Sequence, residues 1–166
     1  MQRSAIFAAA LLCASPLAAQ DTATATATLM NQEGAEVGTA TLAQTASGVI
    51  HVTVEVTGLP EGPHGLHVHE TGVCEGNFES AGDHLAGDME HGIEVEGGPH
   101  VGDLPNLHVP ADGGITVEHF ATALTFEQIF DADGSAMMIH SDADDYESQP
   151  SGNAGDRIAC GVIEQG

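Results

Sequence analysis

The stretch "GVIHVTVEVTG", residues 48–58, alternates without a break: Ile50, Val52, Val54 and Val56 fall on one side, His51, Thr53 and Glu55 on the other. In an extended strand successive side chains point to opposite faces, so this period of two predicts a strand with one buried and one wet face. Working outward, "TATATATLM" (22–30) and "VGTATLAQ" (37–44) alternate in the same way around the turn "NQEGAE". Downstream, "GLHVHE", "LHVP", "ITVEHFATALTF", "SAMMIH" and "RIACGVIE" read as further short strands, separated by turns such as "ADGG" and "DADG". Seven or eight such strands predict an all-β fold, a Greek-key antiparallel β-barrel or sandwich of about eight strands. No helix-period segment is expected after residue 20. Two connections, 71–105 and 141–156, are too long for simple turns and are expected to carry function.

The first twenty residues, "MQRSAIFAAALLCASPLAAQ", stand apart: Arg3, an Ala/Leu run, then small residues. That order predicts a secretory signal peptide over 1–20, cut near Ala19 or Gln20, and one domain over 21–166. The run is too short to span a membrane. Leu11 and Leu12 ahead of Cys13 argue against lipid attachment, which needs a small residue before the cysteine. A periplasmic or secreted protein is therefore expected. Without the leader only Cys74 and Cys160 remain, and an oxidising compartment favours one disulfide over two buried thiols. No Cys-x-x-Cys pair is present to build a thiolate metal cluster.

Charge narrows the partners. The whole chain carries −23, and loss of Arg3 makes it −24, with Arg157 the one remaining Lys or Arg. Nucleic acid and anionic membranes are excluded on electrostatic grounds. Apolar content of 42% and regular alternation exclude a disordered chain.

Histidine is the informative residue. In "PHGLHVHE" (63–70), His67 and His69 share a strand face at ~6.6 Å backbone spacing, close enough to converge on one metal ion. The loop "AGDHLAGDMEHGIEVEGGPHVGDLPNL" adds His84, His91, His100 and Asp103, and a later strand ends in His140. Imidazole suits copper and zinc, and a carboxylate completes a zinc site, so this set suggests two neighbouring metal sites. "DADG" (131–134) lacks the later oxygens and closing glutamate of a calcium loop and reads as a turn.

The motifs "GLHVHE", "SAGDH", "HVGDLPNL" and "GNAGDRIACGVI", with the two cysteines, resemble the copper/zinc superoxide dismutases of the secreted bacterial kind, in family order across the chain after the leader. The resemblance implies one copper and one zinc ion per chain. His67, His69, His84 and His140 would hold copper. His84, His91, His100 and Asp103 would hold zinc, with His84 bridging both. Asp144 would link the two sites through histidine hydrogen bonds. Arg157 would guide the substrate, superoxide, and Cys74–Cys160 would be the family disulfide. His84 and Arg157 are the expected catalytic residues, in a monomer or homodimer. His64 matches a structural family position, while His51, His108 and His119 read as exposed residues. Two departures stand out: six residues separate His84 from His91, fewer than is usual, and the second loop lacks the family's lysines. The alternative is a non-enzymatic exported copper/zinc carrier on the same fold, which would need neither the bridge nor Asp144 nor Arg157.

Overall fold

The structure, a computed structural model, describes residues 23–166. The signal peptide expected over 1–20 lies outside the described residues. The strands are β1 (Thr24–Asn31), β2 (Glu36–Gln44), β3 (Ile50–Val56), β4 (Gly62–His69), β5 (Asp103–Val109), β6 (Ile115–Ala121), β7 (Ala136–His140), β8 (Arg157–Val162) and the short β9 (Glu164–Gln165). They hydrogen-bond in the order β5-β4-β7-β8-β1-β2-β3-β6, every paired strand antiparallel, with β9 added beside β1. The ends of this path, β5 and β6, follow one another in the chain through the turn at Pro110–Gly114, so the sheet curls into a nearly closed barrel.

The alternation sets which atoms fill it. Ile50, Val52, Val54 and Val56 of β3 lie inside with Ala25, Ala27 and Leu29 of β1 and Ala40 and Leu42 of β2. Their threonine neighbours Thr26, Thr28, Thr39 and Thr41 face water. Gly38 sits where β1 and β2 slip register between Leu29 and Met30; a Cβ there would collide with the Glu55 carbonyl and with Val56.

Two details differ from the sequence reading. The segment 115–126 is not one strand: β6 stops at Ala121, and a one-turn helix, α1 (Phe126–Ile129), follows. Thr125 caps it, accepting from the Gln128 N–H while the Gln128 side chain accepts from the Thr125 N–H. That reciprocal capping satisfies orphan donors locally, and four residues are too few to show a helical period. A single 3₁₀ turn also forms at Glu79–Ala81.

Strand β4 positions the site. Leu66 and Val68 point into the barrel core, and His67 and His69 point outward yet are equally buried. The outer wall of β4, β7 and β8 is covered by the two long loops. Close backbone approach makes this possible: a Cβ on Gly65 would lie 2.9 Å from the Ala154 Cβ, and one on Gly102 would collide with the Val68 carbonyl. Among the described residues, no helix is long and apolar enough to cross a membrane.

Candidate metal centre

His67 and His69 come from the end of β4, and His140 ends the neighbouring β7. The first long loop returns His84 to the same wall. It forms an isolated bridge with His69, and the Leu85 N–H donates to the Val68 carbonyl at 2.8 Å. Two rigid strands and one pinned loop segment thus bring four imidazoles together, all buried, with one ring nitrogen from each within 4.8 Å of the others. A second group, His67, His84, His91 and Asp103, meets the same limit. His100 stands at its edge, its Nδ1 3.4 Å from Asp103 Oδ1 and its ring centroid 5.3 Å from that of His91.

Hydrogen bonds sort the rings. The Nε2–H groups of His67 and His91 donate to the two oxygens of Asp144, at 2.9 and 3.0 Å. Asp144 is itself 2% exposed, so the bond is dry and fixes both tautomers. His69 Nδ1–H donates to the Gly82 carbonyl at 3.0 Å, and His140 Nδ1 lies 3.4 Å from the Gly155 carbonyl. His84 Nδ1 lies 3.1 Å from Asp103 Oδ1. What remains is a set of buried nitrogens with no hydrogen-bond partner: His67 Nδ1, His69 Nε2, His84 Nε2, His140 Nε2, His91 Nδ1 and His100 Nδ1. An unpaired buried polar atom costs about 1–3 kcal/mol, so six in one cluster point to partners beyond the protein's own hydrogen bonds. Lone pairs on neutral imidazoles, with one carboxylate, are the donor set of copper and zinc. His67 spends its Nε2 on Asp144 and offers its free Nδ1 alongside His69, His84 and His140, which places it with the first group. His100 keeps a free Nδ1 beside His91 and Asp103. His64 differs: its ring nitrogens face the carbonyls of His140 and Pro60 at 2.8 and 2.9 Å, leaving neither free.

The electrostatics keep these lone pairs available. Burial, then the neighbouring His84, pushes His69 down to about 2 and His140 down to about 4. His67 is driven well below its ordinary value for the same two reasons, and burial lowers His100. For Asp103, burial raises the carboxyl, but hydrogen bonds from His84 and the Gly92 N–H outweigh it and bring it to about 2. Near neutral pH His67, His69, His100 and His140 are therefore neutral rings beside the ionised carboxylate of Asp103.

The second loop holds Asp144 in place. Asn106 on β5 donates from Nδ2 to the Asp144 carbonyl and accepts from the Asp144 N–H, both at 2.9 Å. The Tyr146 N–H donates to Asp144 Oδ1 at 2.7 Å, and the Tyr146 hydroxyl accepts from the Asn106 N–H at 2.8 Å. Gln149 clasps the His91 backbone, accepting from its N–H at 2.9 Å and donating to its carbonyl at 2.8 Å. Gly152 has φ 67, and a Cβ there would collide with Asp144 Oδ1 and lie 2.6 Å from His91 Nε2. Sequence reasoning missed Asn106, Tyr146, Gln149 and Gly152; only Asn106 and Gly152 lie inside quoted motifs, and nothing in their residue type announces the role.

Arg157 opens β8, opposite His140 in register. Its Nη1 donates to the Phe78 carbonyl at 2.7 Å and its Nη2 to the Gly82 carbonyl at 2.6 Å. Cys74 is disulfide-bonded to Cys160, Cα atoms 5.8 Å apart, which ties the loop carrying both carbonyls to the strand carrying the arginine. The guanidinium lines a pocket of about 380 Å³ together with His69, His84 and His140. Gly82 accepts from both His69 and Arg157, so one carbonyl sets the His69 ring and the cation together.

A family model for copper/zinc superoxide dismutase matches residues 36–163. A copper/zinc superoxide dismutase of Aquifex aeolicus (strain VF5) is 39% identical over 146 residues, covering 83% of this chain and 86% of that protein. Among solved structures, a superoxide dismutase-like protein from Bacillus subtilis superposes with a TM-score of 0.79 at 38% identity, over 82% of this chain and 96% of that one. The copper/zinc superoxide dismutase of Brucella abortus gives 0.71 at 32% identity, over 85% and 99%. Because the match runs from β2 to Ile163 and takes in both long loops, it covers barrel and site alike, and the chain belongs to the copper/zinc superoxide dismutase family of oxidoreductases.

Proposed function

We propose that the protein dismutes superoxide outside the cytoplasm, two superoxide ions and two protons giving dioxygen and hydrogen peroxide. Copper would be held by His67, His69, His84 and His140, and zinc by His84, His91, His100 and Asp103, so that His84 serves both. The observation that carries this reading is the six partnerless ring nitrogens divided around His84. When bound, copper supplies a one-electron couple and zinc a fixed positive charge. The chain supplies the rest. Asp144 locks His67 and His91 in one tautomer, which keeps His67 Nδ1 and His91 Nδ1 turned to the metals. Arg157, fixed by two carbonyls, draws the anion into the pocket and holds it by charge-assisted hydrogen bonding. His84 Nε2 carries one of the protons that peroxide formation requires. The loops exclude water from the rings but leave the pocket open beside Arg157. A periplasmic or extracellular site of action rests on the signal-like leader and on the disulfide.

The test is to load the purified protein with copper and zinc, measure both by atomic spectrometry, and follow superoxide decay by pulse radiolysis. One copper and one zinc per chain with superoxide-dependent turnover is the expected result. Full loading without turnover would instead favour a metal carrier.

A further inference from the structure

The pocket beside Arg157 contains one group that opposes it. Asp83, next to His84, lines the same pocket as His69, His84, His140 and Arg157. Its side chain is exposed, and among the described residues no cationic side chain comes within 4 Å of its carboxylate. The backbone at this position is clamped from both sides. The Glu70 N–H donates to the Asp83 carbonyl at 3.0 Å, and the Asp83 N–H donates to Glu70 Oε1 at 3.2 Å. The side chain is thus carried on a fixed backbone position at the pocket rim. Glu79 and Asp156 line a separate pocket on the other side of Arg157 and do not line this one. A concave site between low-dielectric walls focuses the field of the charges that line it. Among the side chains lining the pocket, a small anion meets one cation, Arg157, and one carboxylate, Asp83.

We infer that Asp83 sets the anion affinity of this pocket, acting against Arg157 to lower the capture of superoxide and of other small monoanions. For superoxide the inference deepens the proposed function and rests on it; for anion binding in general it stands on the pocket alone. A unit charge lining the route, at an effective dielectric between that of a protein surface and water, changes anion capture by roughly two- to fivefold at low ionic strength.

The experiment uses the metal-loaded protein and three variants: Asp83→Asn, Asp83→Glu, and Glu55→Gln on the outward face of β3. The last changes net charge equally but lies away from the pocket. Two quantities are read across an ionic-strength series: the superoxide rate constant by pulse radiolysis, and azide affinity by the visible absorption of bound copper. Asp83→Asn should raise both by roughly two- to fivefold at low salt, with the gain shrinking as salt rises. Asp83→Glu and Glu55→Gln should stay near the parent. Equal gains in Asp83→Asn and Glu55→Gln would reduce the effect to net charge and overturn the inference. So would a gain in Asp83→Glu, or no change in Asp83→Asn. Azide binding needs no turnover, so tighter azide binding by an Asp83→Asn protein that does not dismute superoxide would defeat the proposed reaction and leave the role of Asp83 standing.

Discussion

His67 and His84 both fall in the two ligand groups, but His67 gives its Nε2 to Asp144, whereas His84 turns both ring nitrogens to the cluster: its Nδ1 faces Asp103, and its Nε2 is free beside His67, His69 and His140. Among the described residues, the His91 ring nitrogens lie beside the carboxylates of Asp103 and Asp144. The two substitutions should therefore differ in kind. His84→Ala should lower both copper and zinc content and abolish turnover, whereas His91→Ala should mainly lose zinc, and metal analysis of the purified variants separates them. Full copper and zinc with unchanged activity in His84→Ala would refute the ligand division. At this scale much was legible in the sequence, because histidines two apart on a strand and a loop with three more have few structural reasons to exist. Which nitrogen each ring leaves free was not legible. That depends on Asp144, Gly82 and Asp103 meeting rings up to 77 residues away.

The barrel strands were readable because one face of each is wet and the other filled, which writes a period of two into the chain. α1 was not, since one helical turn held by Thr125 and Gln128 leaves no periodic trace. Nor was the path of the long loops, which is fixed by single contacts such as the Gln149 clasp on His91 rather than by any repeating pattern. The disulfide is the element-scale tie most open to test. Cys74 and Cys160 are 86 residues apart, a closure worth roughly 4–5 kcal/mol by chain entropy. Reduction should lower the melting temperature by ~10 °C. It should also slow superoxide turnover, because the Phe78 and Gly82 carbonyls that hold Arg157 ride on the released loop. Free-thiol titration of the denatured, unreduced protein should find neither Cys74 nor Cys160; two reactive thiols there would contradict the pairing.

For the whole molecule, the chain's charge of −23 opposes an anionic substrate, while Arg157 and bound metals would attract it within the pocket. The Debye length is about 10 Å at 0.1 M salt, so added salt screens the distant acids more than the groups beside the anion. The superoxide rate constant should stay flat or rise from low to moderate ionic strength, measured by pulse radiolysis; a steep fall would mean the surface gathers a positive funnel. Acid acts through the buried rings. His69 and His140 fall from 6.5 to about 2 and about 4, so below about pH 6.5 the unfolded chain binds protons that the folded metal-free protein refuses. Stability of the metal-free protein should therefore be greatest above that pH and decline steadily toward about pH 4, with His140 alone contributing on the order of 3 kcal/mol. Thermal melts of the metal-free protein against pH check the sign, and a melting temperature that rises on acidification would reverse it.

Most depends on a single ring serving two metals, and anomalous diffraction from crystals of the metal-loaded protein, recorded at the copper and zinc absorption edges, tests this directly. The expected map has one copper peak among His67 Nδ1, His69 Nε2, His84 Nε2 and His140 Nε2. One zinc peak should lie among His84 Nδ1, His91 Nδ1, His100 Nδ1 and Asp103, on the opposite side of the same imidazole. A single peak, or two peaks of which only one touches His84, would contradict the bridge.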